Sequence, residues 1–468
     1  MDTEASFQAQ QDQKYIVMTQ TPIPRLVGRL ALPTICAMLI TAIYNMADTY
    51  FVSQIGTSAS AAVGVIFSLM GVIQAVGFTF GIGSSVQVSR LLGEKSRQEA
   101  CESVATAFFA ALVFGALLAI VGLFFLDELV LLLGATESIA PYARDYARYI
   151  LIGAPYMAAN FVLNTSLRGQ GNAFYGMIGI MSGGILNMFL DPLMIFGMGM
   201  GISGAALATI ISQFISFLIL LYFNLGKHGA LPLKMSNIRL SYKLLIDIIG
   251  GGTPSLFRQG LASIAMVFMI RCCKPFGDPA IAAISIVTRL MMFVVSAMIG
   301  FGQGFQPVCG FNYGAKRFDR VKESFWFCVK VSFLILTVAG AVMFLLAPQA
   351  ITAFRRDDFE VIAIGTAALR LQCLVLPLQS FFIMCNMYLQ CTGQSGPATL
   401  LASARQGIFF LPGTLLWPAL FGLLGVQMVQ PASDICCFIL AFILSRQFLR
   451  DLDLRLEDQL RLGTEGKV

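Results

Sequence analysis

The chain has 468 residues, of which 57% are hydrophobic and only 12% charged, and it carries a net charge of +6 at a mean hydropathy of +0.78. Soluble domains carry about 25% charged residues, so this composition excludes a water-soluble globular surface. The positive charge sits in short loops between apolar runs and is not a nucleic-acid footprint.

Along the chain, Met1 to Thr21 is polar and lacks a basic segment followed by an apolar one. No cleaved leader is expected, and the first span should direct insertion. Twelve apolar runs follow, at roughly 29–53, 58–89, 103–126, 142–167, 174–198, 202–225, 247–273, 279–309, 325–347, 361–389, 397–421 and 426–447. Each suffices to cross a hydrocarbon core about 30 Å thick. The predicted fold is an all-α integral membrane protein, with twelve transmembrane helices in two pseudo-symmetric six-helix bundles. Basic residues cluster at one set of ends, among them Arg25, Arg29, Arg90, Lys95, Arg168, Lys227, Lys243, Lys316, Arg317, Arg320, Arg446 and Arg450. The other ends carry only Arg144, Arg148, Arg271, Lys274, Arg355 and Arg356. The positive-inside rule then makes both termini cytoplasmic and points to a cell (inner) membrane location.

An internal repeat divides the chain. An offset of 221 maps Pro33 onto Pro254, Gly56 onto Gly277, Gly81 and Gly83 onto Gly302 and Gly304, and Lys95 onto Lys316. An offset of 222 maps Pro155, Asn164, Leu167 and Gly171 onto Pro377, Asn386, Leu389 and Gly393. Six spans per unit is an even number, so both halves enter the membrane in the same orientation, with a cleft between them. The expected organisation is a cytoplasmic tail (1–24), an N-terminal lobe (25–225), a linker (226–246), a C-terminal lobe (247–450) and a cytoplasmic tail (451–468). Pro33 and Pro254 fall within the first turns of spans 1 and 7 and are candidate hinges, because proline removes a backbone donor and clashes with the preceding turn.

Acids inside spans carry the most weight, since a carboxylate at the bilayer centre costs about 2.5–3.5 kcal/mol even on the gentlest scale. Asp48 in span 1 and Asp191 in span 5 lie about 26–28 Å above the basic ends at 1.5 Å per residue. Tyr44 and Asn187 each precede one of them by four residues and share its helix face. Thr209 in span 6 reaches a similar level. Together the five could hold a proton or Na⁺, with Asp48, Asp191, Asn187 and Thr209 as the Na⁺ ligands. Asp434 lies near an outer end, where solvation and function are equally open readings, and Asp247 reads as interfacial. Snorkelling accounts for Arg258 and Arg405, whereas Arg289 is deeper and receives no role. The lone His228 reads as a solvated linker residue. The eleven cysteines are scattered, mostly in spans and without CxxC spacing, and read as small apolar fillers. No GxxxxGK[ST] loop is present, so ATP does not drive this chain directly, and no catalytic constellation marks it as an enzyme.

The run Ile43-Tyr-Asn-Met-Ala-Asp-Thr-Tyr-Phe-Val52, with Leu167-Arg-Gly-Gln-Gly-Asn172 and Asn187-Met-Phe-Leu-Asp-Pro192, resembles spans 1, 4 and 5 of multidrug and toxic compound extrusion (MATE) transporters. The resemblance extends from about Arg25 to Arg450. It implies an antiporter that exports cationic amphiphiles in exchange for H⁺ or Na⁺ by rocking two lobes, with no cofactor and as a monomer. It assigns the cation site to Tyr44, Asp48, Asn187, Asp191 and Thr209, the substrate cavity to Asn160 and Asn164, and the first-span bend to Pro33. Where some branches carry acids in spans 7 and 10, this chain has Ala262-Ser263 and Gln379-Ser380, which is closer to the DinF-type branch. The alternative is a lipid-linked precursor flippase, which would need a strongly cationic cleft.

Overall fold

The computed structural model describes residues 12–225, 231, 233–239, 241–354 and 358–465. Lys227, His228, Arg355 and Arg356 lie outside the described residues. Helices dominate, as a bilayer requires: with no water in the core, each backbone polar group must be satisfied within its own segment. The first six long helices are α1 (Ile23–Ser53), α2 (Thr57–Gly93), α3 (Arg97–Phe124), α4 (Ala140–Gly169), α5 (Ala173–Pro192) and α6 (Gly201–Leu225). The second six begin with α7 (Tyr242–Cys273), α8 (Asp278–Gly314) and α9 (Phe318–Leu345). Helix α10 is broken into Phe359–Val375 and Leu378–Cys391, which meet at 56°. Helix α11 starts with Ser395–Ser403 and runs through a π-helical turn at Ala404–Ile408. The helical stretch Phe410–Glu465 is interrupted at Gly422 (φ 57°, ψ −134°). An unbroken helix from 395 to 459 would be about 98 Å long, three times the hydrocarbon thickness. The break at Gly422 therefore separates α11 (from 395 to 421) from α12 (423–465).

The repeat is visible in the local geometry. Lys95 and Lys316 both take positive φ, at 62° and 56°, after α2 and α8. Each helix ends with the same pair of backbone bonds: Lys95 N–H to Leu92 O and Ser96 N–H to Leu91 O, then Lys316 N–H to Tyr313 O and Arg317 N–H to Asn312 O. This double closure satisfies carbonyls that a helix end leaves open. The short helix Leu126–Leu132 after α3 recurs as Ala347–Thr352 after α9.

The large side chains facing outward are apolar, including Ile120, Phe124, Phe189, Leu334 and Leu420, which suits contact with lipid. Helix α4, the least apolar span, is mostly buried, because it packs on α2, α3 and α6 rather than on acyl chains. The two halves meet through α1, α2, α7 and α8, where small residues let backbones approach. A Cβ on Gly93 would stand 2.1 Å from the Phe311 carbonyl oxygen, and one on Gly314 would stand 2.0 Å from that of Arg90. These approaches exchange under the 221-residue offset, as expected around a pseudo-twofold axis. Higher up, Thr34 Oγ1 donates to Gly300 O at 2.6 Å. All of these approaches lie in the half of the molecule nearest the basic ends.

Several sequence expectations change. Pro33 and Pro254 are not in first turns: α1 and α7 begin six and five residues before the expected starts, so the prolines sit about three turns in, buried within continuous helices. Among the described residues the sharp break falls instead at Leu376-Pro377 in α10. Tail residues 12–20 are helical, and Asn312 Nδ2 donates to Met18 O at 3.2 Å. The C-terminal extension of α12 is also docked, with Arg455 over the rings of Tyr313 and Phe318. Arg320 is not a solvated end residue. It is 8% exposed and donates to Asn312 Oδ1 at 3.1 Å.

Candidate functional site

Helices α1, α4, α5 and α6 converge on one buried polar cluster. Asp191 is 0% exposed, and Pro192 does not end its helix, which continues through a π-helical turn at Leu193–Gly197. One turn earlier, Asn187 Nδ2 donates to Asp191 Oδ1 at 3.1 Å and reaches Thr209 Oγ1 at 3.5 Å. Asp48 on α1 stands within electrostatic reach of Asp191. Tyr44, one turn before Asp48, lays its ring against Gly184 of α5, where a Cβ would stand 3.0 Å from the ring. The structure thus brings together the residues proposed from the sequence.

Three acceptor oxygens of this cluster are buried with no hydrogen-bond partner among the described residues: Asp48 Oδ1, Asn187 Oδ1 and Asp191 Oδ2. Leaving one buried acceptor unsatisfied costs about 1–3 kcal/mol, more when it is charged. Lone acceptors on three neighbouring side chains offer the oxygen ligands that a shared proton or a small hard metal ion takes. The donor set fits both. Sequence reasoning missed Tyr146 of α4, which is 0% exposed and lies within electrostatic reach of Asp48 and Asp191. Near the start of a span it carries no sequence signal of this role, and only the inward turn of α4 reveals it.

Beside the cluster, a cavity of about 190 Å³ lies between the halves, lined by Thr41, Tyr44, Asn160, Asn164, Gln213, Arg258 and further polar and apolar side chains. Asn160 Nδ2 donates to Gln213 Oε1 at 3.1 Å and Ser216 Oγ at 3.2 Å, which turns its lone Oδ1 elsewhere. Asn164 Nδ2 donates to Gly176 O at 2.9 Å, a bond repeated by Asn386 Nδ2 and Ala398 O at 2.7 Å. Asn164 therefore both lines the cavity and anchors the start of α5.

The second half carries a different polar centre, which excludes the solvated one of the two open readings of Asp434 and overturns the snorkelling of Arg405. Asp434 is not solvated but 1% exposed. Arg405 does not snorkel, since its Nε meets Asp434 Oδ1 at 2.8 Å. Gln379 and Gln430 also donate to this carboxylate, at 2.8 and 3.0 Å. Removing one member of such a buried pair strands the other, at about 3–5 kcal/mol. We expect Asp434→Asn to lower the thermal midpoint of the detergent-solubilised protein clearly, and Asp434→Leu with Arg405→Met to recover most of the loss. Equal midpoints for wild type and Asp434→Asn would contradict the pairing.

Arg168 also departs from its expected place at a solvated end. It is 3% exposed and donates Nη1 to Gln303 Oε1 at 2.6 Å, while its Nε and Nη2 have no partner among the described residues. Arg258 stands between Arg168 and Arg405. Arg289 is exposed, three residues before the cavity-lining Met292 of α8, and so continues the cleft-facing stripe of that helix.

Known proteins resemble this chain along most of its length. The model of the MatE family matches residues 33–193 and 254–414, two stretches separated by the same 221-residue offset. The multidrug export protein MepA of Staphylococcus haemolyticus is 27% identical over 437 residues, covering 92% of this chain and 95% of that protein. A crystal structure of MATE in complex with MaL6 superposes with a TM-score of 0.89 at 26% identity, covering 94% of this chain and 99% of that one. The outward-facing conformation of a multidrug resistance MATE family transporter of the MOP superfamily gives 0.88 at 26% identity, covering 94% and 98%.

Proposed function

The chain belongs to the MatE family, and from that membership we propose that it is a multidrug efflux antiporter, exporting cationic amphiphilic small molecules in exchange for H⁺ or Na⁺ by alternating access. The observation that carries the coupling is the trio of lone buried oxygens on Asp48, Asn187 and Asp191. A coupling cation that binds there satisfies those acceptors and neutralises charge that is costly to bury. It thereby disfavours a cationic substrate in the adjoining cavity and favours return of the empty transporter. The membrane potential adds about 2.3 kcal/mol per charge per 100 mV.

Alternating access is read as rocking of an N-terminal lobe (25–225) against a C-terminal lobe (247–450), with Pro33 and Pro254 as hinges. The close glycine approaches near the basic ends support a state sealed on that side. With both termini cytoplasmic in the inner membrane, the cleft then faces outward. In place of acids α7 carries Ala262-Ser263 and α10 carries Gln379-Ser380, and the one acid that Gln379 reaches, Asp434, is tied to Arg405, which supports the DinF-type branch with coupling concentrated in the N-terminal lobe. The reading needs no second chain.

The test is transport of a cationic dye such as ethidium into everted vesicles, first under a proton gradient and then under a Na⁺ gradient. Uptake driven by one of them identifies the antiporter and its ion. No uptake under either, with the protein present in the membrane, would sink the reading and favour the flippase alternative.

A further inference from the structure

We propose that the cavity in the second half is an acid-binding subsite, where Arg258 receives the carboxylate of an amphiphilic export substrate; this rests on the export reading above. The cavity measures about 190 Å³, and Arg258, Val295, Phe382, Ile383, Leu401 and Arg405 form much of its wall. Arg258 also lines the central cavity beside the acid cluster, so the two spaces share it.

Charge accounting singles out Arg258. Asp434 is paired with Arg405 of this wall, and it is already engaged. Arg405, Gln379 and Gln430 fill its two oxygens. Arg258 has no hydrogen bond or ion pair among the described residues, and the charges around it are the guanidinium groups of Arg168 and Arg405. Around this wall three cations thus meet one carboxylate, while Asp48 and Asp191 belong to the cluster beside the central cavity and are not among the charges acting on Arg258. An uncompensated charge there is expensive, and a guanidinium has five donors to satisfy. An anion entering the cavity supplies both the missing charge and the missing acceptors.

The shape of the site narrows the anion. The planar guanidinium fork matches a carboxylate through two parallel bonds, and the remaining wall of Phe382, Ile383, Leu401 and Val295 is suited to an apolar or aromatic body. A zwitterion could place its acid on Arg258 and its cation toward the central cavity and Asp48. The substrate class therefore extends to acidic and zwitterionic amphiphiles.

The experiment uses the full chain in phosphatidylcholine nanodiscs, titrated with dansyl-phenylalanine and with its methyl ester. The acid should bind wild type at least tenfold more tightly than the ester. Arg258→Gln should erase that preference, and Arg258→Lys should keep part of it. Equal affinities in wild type, or a preference that survives Arg258→Gln in a protein of unchanged thermal midpoint, would overturn the proposal. So would loss of the preference when phosphatidylglycerol is added, since the anion would then be a lipid headgroup. Failure here with dye antiport intact would remove only the acid subsite. An acid preference without gradient-driven transport of any dye would leave the subsite standing and remove the antiport.

Discussion

Asp191→Asn and Asp48→Asn should each reduce gradient-driven dye efflux by at least about 100-fold while leaving the protein folded. The amide keeps the shape of the carboxylate but can neither take up a proton at neutral pH nor carry the charge that a cation neutralises. Asp191 is 0% exposed, and its Oδ2 has no partner, so removal of its charge takes away a desolvation cost rather than a supporting bond. The thermal midpoint should stay level or rise. Loss of transport with an intact or higher midpoint separates coupling from architecture, which would instead weaken both together. Thr209→Ala should cost less, because Asn187 reaches Thr209 only at 3.5 Å. Efflux that persists in both aspartate variants would remove the cluster from the mechanism.

The second large effect is expected where the halves meet. A Cβ on Gly252 of α7 would stand 1.9 Å from the Thr79 carbonyl oxygen of α2. Backbone cannot step aside as a side-chain tip can, so Gly252→Ala should penalise this packed state by about 3 kcal/mol, at the upper end of overpacking costs. A penalty of that size moves a two-state equilibrium about 150-fold. Efflux should fall at least tenfold and the thermal midpoint should drop. Gly260, two turns further along α7, would carry a Cβ into open space. Gly260→Ala should therefore match wild type in both assays, with a small gain from helix propensity. If Gly252→Ala also matched wild type, the close approach of α2 and α7 would not be part of the working cycle.

The duplication built a scaffold and left the chemistry unduplicated. The 221-residue offset carries Tyr44 and Asp48 onto Ala265 and Met269, and the 222-residue offset carries Asn187 and Asp191 onto Phe409 and Gly413. In the other direction, Arg405 and Asp434 fall back onto Gly183 and Ser212. The first half thus holds the cluster with lone carboxylate oxygens, and the second holds the paired Arg405–Asp434 centre.

By itself the sequence determined what depends on distance along the chain. Span number follows from apolar length against bilayer thickness, whereas helix starts do not, since α1 and α7 begin six and five residues early. The pairing of Asn187 with Asp191, and their common depth with Asp48, follow from a fixed rise and a fixed number of residues per turn. The repeat is legible because its prolines, glycines and caps recur at a constant offset. The tertiary structure alone decided how each helix is rotated about its axis and which neighbour it faces. That rotation turned Tyr146 into the acid cluster, buried Arg168 against Gln303, paired Arg405 with Asp434 and left Arg258 without a counter-charge. It also placed the sharp bend at Pro377 of α10, although Pro155, its repeat equivalent, lies inside the continuous helix α4. Hydropathy records how apolar a segment is, whereas side-chain direction is set by packing between segments far apart in sequence, and no local pattern encodes it.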